Sequence, residues 1–82
     1  MTNLEKYQKI LKENLNVKEE DFNDETLIYN RYPRWDSVVH LGMVTELEEK
    51  FGVSFDTLDI TSFGTYSKGI EILEKLGVDM NC

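Results

Sequence analysis

Apolar residues recur at helical spacing in separate segments of the chain. Lysines and glutamates fill the other positions of the first segment, whose apolar residues are Leu4, Tyr7, Ile10, Leu11 and Leu15. Because residues three and four apart share one face of a helix, this pattern predicts a first helix from Asn3 to Asn14. Thr2 and Glu5 have the spacing of a capping box at its start.

The second apolar segment is longer and begins where an irregular stretch ends. Asp36 and Ser37 are both good caps for a helix N-terminus, because a short side-chain oxygen can accept a hydrogen bond from an unpaired backbone N–H. No proline follows before Phe51, and Gly52 is a natural C-terminal stop. We therefore predict a long helix from Val38 to Phe51.

This second helix is predicted to have a core face and an outer face. At about 100° per residue, one sector holds the side chains expected in the core, which are His40, Met43, Val44, Leu47 and Phe51. Val38 and Leu41 are left on the outer face beside Ser37. Acidic residues border them, namely Glu46, Glu48 and Glu49. Two apolar residues together on an exposed face favour a contact with a partner.

The rest of the chain carries weaker signals of secondary structure. Residues 16–35 form a long connection whose aromatic content predicts a packed loop. Residues 56–60 predict a single helical turn or an irregular linker. A final helix follows the N-cap Thr65 and ends at Gly77. Gly69 inside it costs about 1 kcal/mol relative to alanine, unless a close helix contact requires it.

These elements together predict an all-α fold. We expect a small four-helix bundle, with three main helices, one short helix and a long first loop. Its 82 residues make a single domain over residues 1–82, with a loose tail from about residue 78. A chain of this size hides only about 60% of its unfolded surface. It has little room for a deep substrate cleft, which favours a binding or carrying module over an enzyme.

The net charge of the chain narrows the class of partner. Acidic residues outnumber basic ones by 16 to 9, for a formal charge of −7. Such a surface is repelled by nucleic acid and anionic lipid and favours partners with basic patches.

The single cysteine, Cys82, allows no intramolecular disulfide. Because the start of the chain lacks signal-peptide features and no apolar run approaches about 20 residues, we expect a cytoplasmic monomer without membrane insertion.

The string from Asp36 to Phe51 resembles the acyl carrier protein family. The hallmark of that family is Asp-Ser-Leu ahead of a helix that ends in Leu-Glu-Glu-x-Phe, and this chain has Asp36-Ser37-Val38 followed by Leu41, Val44, Leu47, Glu48, Glu49 and Phe51. The resemblance implies that Ser37 carries a covalent 4′-phosphopantetheine arm from coenzyme A, with Asp36 as the flanking motif residue. The arm's thiol then holds an acyl group as a thioester.

The same resemblance implies a set of partners. A phosphopantetheinyl transferase installs the arm, and acyl-activating and acyl-transferring or condensing enzymes with basic patches exchange the cargo. The carrier itself has no catalytic residues. The docking surface implied by the family comprises Val38, Leu41, Glu46, Glu48 and Glu49. In the family an apolar interior can shelter the acyl chain, and the candidates for it here are Met43, Val44, Leu47, Ile70 and Leu73.

Departures from the family pattern lie close to the serine. Val38 stands in place of leucine, and Arg34 and Trp35 replace a small or glycine-containing approach. Val39 and Gly42 stand where fatty-acid carriers often have acids. The less acidic outer face favours a specialised lipid or secondary-metabolite pathway. Two alternatives stay open: an aminoacyl or peptidyl carrier, such as a D-alanyl carrier, and an unmodified acidic helical adaptor in which Ser37 is only a cap.

Other chemistry is poorly supported by the sequence. His40 is the only histidine and lies on the predicted core side of its helix, so it is badly placed to activate Ser37. One histidine and one terminal cysteine do not make a zinc site. A calcium loop starting at Asp21 would need glycine at Thr26 and an acid at Tyr32.

Overall fold

Four helices make up the fold, and a long loop joins the first to the second. The computed structural model describes residues 2–81. The helices are α1 (Asn3–Leu15), α2 (Ser37–Phe51), α3 (Thr57–Ser62) and α4 (Tyr66–Lys75), with a short 3-10 helix at Glu19–Asp21 in the first loop. The predicted all-α fold, with three main helices and one short one, is confirmed.

The ends of α1 show why local sequence signals predicted the helices well. Thr2 and Glu5 form the expected capping box, with the Glu5 amide nitrogen 3.1 Å from Thr2 Oγ1. The helix continues through Leu15, one residue beyond the predicted end. It stops there because Asn16 adopts a left-handed backbone conformation with φ of 56°, which asparagine tolerates better than most residues. Side-chain caps likewise start α3 and α4.

The core is built from one face of each long helix and from residues of the loops. Its largest fully buried side chains are Trp35, Tyr7, Phe63, Leu11, Leu15, Leu27, Met43, Leu47 and Leu73. Four members of the face predicted for α2 are buried, His40, Met43, Val44 and Leu47, and Phe51 is partly buried. The hydrophobic pattern therefore predicted correctly which side of α2 faces inward.

The long loop between α1 and α2 is packed, as its aromatic content predicted. Leu27 is fully buried within it. Ile28 forms an isolated antiparallel bridge with Thr65, the residue that caps α4. The neighbouring Tyr29 amide donates to the carbonyl oxygen of Gly64, at 2.9 Å. These contacts fix the position of the Tyr29 side chain next to the start of α2.

An ion pair ties α3 to α4. The Asp59 carboxylate is 3% exposed and accepts a hydrogen bond from Lys75 Nζ of α4. This bond, supported by the backbone of Asp56, holds the pKa of Asp59 below its usual value. It also raises the pKa of the Lys75 ammonium. Both groups are therefore charged around neutral pH, and the pair holds the short helix in place.

The C-terminal tail packs further than the sequence predicts. We expected residues 78–82 to be loose, but Met80 is only 4% exposed and belongs to the core, and Val78 packs against it. The prediction is wrong for residues 78–80. The physical reason is a turn at Gly77, whose φ of 98° redirects the chain so that these apolar side chains reach the bundle. Cys82 lies outside the described residues.

A close contact between helices explains the glycine inside α4. A Cβ atom on Gly69 would collide with the Tyr7 hydroxyl and lie 2.7 Å from Phe63 Cε1. The tyrosine cannot easily move away, because its hydroxyl donates to the Tyr66 carbonyl oxygen at 2.6 Å. Gly69 is therefore required by packing, which is the exception that the sequence analysis allowed.

Replacing Gly69 with alanine should destabilise the protein, because overpacking a core costs about 1–3 kcal/mol. The matched control is Gly42→Ala, where the new Cβ meets nothing within 4 Å. We expect the control to gain up to about 1 kcal/mol from helix propensity. Urea unfolding followed by circular dichroism measures both changes. A Gly69→Ala protein as stable as the Gly42→Ala protein would contradict the proposed contact.

Candidate functional site

The N-terminus of α2 is capped by Asp36 and not by Ser37. Asp36 Oδ1 accepts a hydrogen bond from the Val39 amide, with 2.9 Å between the two atoms. Ser37 is the first residue of the helix and is exposed. Its hydroxyl has no hydrogen-bond partner within residues 2–81. The structure thus leaves the serine oxygen free and accessible.

The electrostatics of this helix end suit an anion. The first amide groups of a helix have no acceptor within it, and the helix dipole adds partial positive charge there. The Asp36 carboxylate occupies the amide of Val39, so the amides of Ser37 and Val38 remain available. No acidic residue lies in the first turn of α2 itself. A phosphate ester on Ser37 would lie next to these donors.

His40 joins the start of α2 to the core and to α3. Trp35 Nε1 lies 3.0 Å from His40 Nδ1, and His40 Nε2 lies 2.8 Å from the carbonyl oxygen of Ile60. An indole N–H can only donate, so Nδ1 accepts and the ring proton is on Nε2, which donates to Ile60. Both ring nitrogens are therefore engaged. His40 is 6% exposed, in keeping with its predicted place on the core face, and it offers no free nitrogen to Ser37.

An apolar pocket of about 260 Å³ opens beside Ser37. It lies between the first loop, α2 and α3. Its lining residues are Tyr29, Ser37, His40, Leu41, Ile60 and Thr61. The pocket therefore shares its rim with the candidate attachment site.

The sequence did not indicate this pocket. The residues proposed for a sheltering interior are Met43, Val44, Leu47, Ile70 and Leu73, and none of them lines it. Ile70 is partly buried and the other four are packed in the core. Tyr29 and Ile60 lie in separate segments, far apart in the sequence, so only the tertiary structure brings them together. An apolar residue in each connecting segment was the only local signal.

Two apolar side chains of α2 are exposed close to the serine. Val38 is 78% exposed and Leu41 is 56% exposed, as the helical pattern predicted. Leu58 of α3 is 75% exposed and was not predicted. Val38 and Leu41, which we call the apolar patch, lie within four residues of Ser37 on α2, whereas Leu58 lines a separate hollow with residues of α4. Exposed apolar groups of this kind are typical of a surface that contacts a partner.

The acidic residues of α2 differ in their availability. Glu49 is exposed. Glu46 is exposed too, and its Oε1 accepts a hydrogen bond from Asn14 at 2.9 Å. Glu48 is half-buried, because its Oε2 accepts from the Phe55 amide at 2.7 Å. Its carboxylate stabilises the connection between α2 and α3. We expected Glu48 to belong to the docking surface and did not predict this structural role.

The described part of the chain offers little for other kinds of site. Among residues 2–81 no three histidine, cysteine or acidic side chains are grouped so that they could hold a metal ion. Within the same range no helix has the length and apolar character needed to cross a membrane. The serine and its surroundings are thus the strongest candidate in this part of the molecule.

Comparison with known proteins adds no identification. No family model matches the sequence, and no curated protein matches it. The resemblance to acyl carrier proteins therefore depends on the residues between Asp36 and Phe51, and the function must be argued from the geometry of the site.

The division of roles between Asp36 and Ser37 can be tested by replacing each with alanine. Loss of an N-cap typically costs about 1 kcal/mol, so Asp36→Ala should lower the free energy of unfolding by that amount. Ser37→Ala removes an exposed hydroxyl without a partner and should change it by less than about 0.5 kcal/mol. Urea unfolding at neutral pH measures both. A larger loss for Ser37→Ala would show that Ser37 acts as the cap.

Proposed function

We propose that this protein is a carrier in a specialised cytoplasmic pathway. Ser37 takes a 4′-phosphopantetheine arm from coenzyme A, and the thiol of the arm holds an acyl group as a thioester while separate enzymes act on it. One observation carries the proposal. Ser37 is exposed at the first position of α2, and its hydroxyl makes no hydrogen bond to residues 2–81, because Asp36 supplies the cap.

The attachment reaction needs only this hydroxyl from the chain. Ser37 Oγ attacks the phosphorus atom of coenzyme A that bears pantetheine, and a new P–O bond forms. The diphosphate linkage breaks, the adenosine bisphosphate portion leaves, and a base of the transferase takes the serine proton. An exposed oxygen without a hydrogen-bonded partner is accessible to such an enzyme. His40, whose two nitrogens are occupied, has no part in this step.

The product also fits the site. The phosphodiester carries a negative charge, and the amides of Ser37 and Val38 at the helix N-terminus can stabilise it. The neighbouring Asp36 carboxylate opposes this through repulsion. The hydrogen bond that Asp36 accepts from the Val39 amide partly offsets the carboxylate charge, however, and so reduces this repulsion. The arm can therefore leave the protein surface from a point where its charged link is tolerated.

The surface around Ser37 supports short-lived contacts with several enzymes. The net charge of −7 steers the chain toward partners with basic patches, such as a phosphopantetheinyl transferase and acyl-activating or condensing enzymes. The apolar patch of Val38 and Leu41 then supplies contact energy over a small area. A small interface dissociates readily, which suits a carrier that must leave each enzyme.

The two alternatives relate differently to this geometry. An aminoacyl or peptidyl carrier uses the same serine and arm, so the α2 N-terminus fits it equally well. The unmodified adaptor requires that Ser37 serve only as a cap. The hydrogen bond from the Val39 amide to Asp36 weighs against that alternative, although the apolar patch would also suit an adaptor.

Intact mass spectrometry tests the proposal directly. After incubation with coenzyme A and a broad-specificity phosphopantetheinyl transferase, the protein should gain one phosphopantetheinyl group. Ser37→Ala should gain none, whereas Ser54→Ala, which removes another exposed serine, should gain one as the wild type does. No gain with several transferases would contradict the carrier proposal and favour the adaptor.

A further inference from the structure

The two arginines of the chain lie in the turn that leads into Ser37. Arg31 and Arg34 precede the serine by six and three residues, and the basic residues elsewhere in the chain are lysines. Both arginines are exposed. Arginine is enriched at protein interfaces, because its planar guanidinium group is weakly hydrated and can donate two hydrogen bonds to one carboxylate. The position of these residues therefore indicates a contact surface beside the candidate attachment site.

The protein does not neutralise these arginines itself. Among residues 2–81 no ion pair or side-chain hydrogen bond includes either of them. Two acids of the same loop bind other groups. Asp21 Oδ2 accepts a hydrogen bond from the Tyr32 hydroxyl at 3.0 Å, and Asp24 Oδ1 accepts one from the Ser67 amide at 2.8 Å. Both guanidinium groups are therefore available to carboxylates of another molecule.

Hydrogen bonds hold the backbone of this turn close to Ser37. The Asn30 amide donates to the Trp35 carbonyl oxygen, and the Trp35 amide donates to the Tyr32 carbonyl oxygen, both at 2.9 Å. The Trp35 side chain anchors the end of the turn in the core. From backbone bond lengths, the Cα atoms of both arginines lie within about 15 Å of the Ser37 Cα atom. A turn that is already ordered loses less conformational entropy when it binds a partner.

Charges of opposite sign lie on the two sides of Ser37. Residues 26–45 carry two arginines against a single acid, Asp36, although the whole chain has a net charge of −7. Further along α2, the exposed Glu49 follows Val38 by three helical turns and so shares its face. Glu49 is about 18 Å from Ser37 along the helix axis. The surface thus changes from positive charge through the serine and the apolar patch to negative charge.

This change of sign favours a protein partner over a polyanion. Nucleic acid and anionic membranes present negative charge throughout, so the acids of a chain with a net charge of −7 would repel them. A protein can present carboxylates opposite the arginines and cations opposite Glu49. Two contacts of opposite sign also fix the orientation in which the partner meets Ser37.

We propose that Arg31 and Arg34 bind an acidic site on the partner enzymes, adjacent to the basic patch that contacts α2. The identity of the partner as an enzyme that acts at Ser37 rests on the proposed function. The arginines determine specificity, because they repel an enzyme that is basic on both sides of its active-site entrance. The contact does not include the phosphopantetheine arm, so the Ser37→Ala chain retains it.

Photo-cross-linking followed by a charge swap tests this contact. Pro33, which is exposed between the arginines, is replaced by benzoylphenylalanine in the wild-type and Ser37→Ala chains. Irradiation in an extract of the cells that naturally produce the protein links each chain to its partner. Tandem mass spectrometry identifies the linked peptide of the partner, which should contain aspartate or glutamate. The affinity of the purified partner for each chain is then measured by fluorescence anisotropy at low ionic strength.

We expect the double variant Arg31→Glu/Arg34→Glu to abolish the cross-link and to weaken partner binding by about tenfold or more, because it places like charges opposite each other. Lys9→Glu/Lys68→Glu makes the same change in net charge at exposed positions on α1 and α4, and it should leave both measurements nearly unchanged. Replacing the acids of the linked partner peptide with lysine should restore binding of the arginine variant and weaken binding of the wild type.

Several outcomes would overturn the inference. These are an equal loss of binding in the lysine control, binding that ignores the arginine variant, a charge swap that restores nothing, or the absence of any captured partner. If the chain substituted at Pro33 does not fold by circular dichroism, Val38 carries the cross-linker and the affinity comparison decides.

The inference and the proposed function can fail separately. A chain that takes no phosphopantetheine but passes the charge swap contradicts only the carrier proposal. A chain that is modified on Ser37, but whose partners bind equally well after Arg31→Glu/Arg34→Glu, contradicts only the role of the arginines.

Discussion

The hydrogen bond from the Val39 amide to Asp36 is the interaction on which the site depends. It assigns different tasks to three consecutive residues. Trp35 is 1% exposed and anchors the loop in the core, Asp36 caps α2, and Ser37 is left free at the surface. If Ser37 were the cap, its oxygen would be engaged by the backbone and the helix would start one residue later. The Ser37 hydroxyl is accessible because Asp36, and not Ser37, accepts the hydrogen bond from the first turn of the helix.

Three contacts hold the residues around this hydroxyl in place. His40 connects α2 to α3 through the Ile60 carbonyl oxygen. The ion pair of Asp59 with Lys75 fixes α3 against α4. The bridge that pairs Ile28 with the Thr65 cap holds the loop that carries Tyr29. The pocket beside Ser37 is therefore bounded by elements that are each tied to another part of the bundle. A site built in this way can stay open without losing the core beneath it.

Local rules predicted the features that local interactions determine. Thr2, Gly52 and Thr65 begin or end helices through contacts within a few residues, so the sequence alone indicated them, whereas it left Asp36 and Ser37 as equal candidates for the cap of α2. The pocket could not be predicted in this way, because its walls come from three separate segments. Two other features also depend on contacts that the local sequence does not show. Glu48 is half-buried because it accepts a hydrogen bond from Phe55 across a turn, and Met80 is buried because the tail returns to the core.

The most direct test of whether Ser37 is a modification site uses protein purified from the cells that naturally produce it. Proteolysis and tandem mass spectrometry should find the peptide with Ser37 bearing phosphopantetheine. Under conditions that preserve thioesters, a fraction should carry an acyl group on the thiol. Ser37 found only in unmodified form, in cells that contain an active phosphopantetheinyl transferase, would contradict the account.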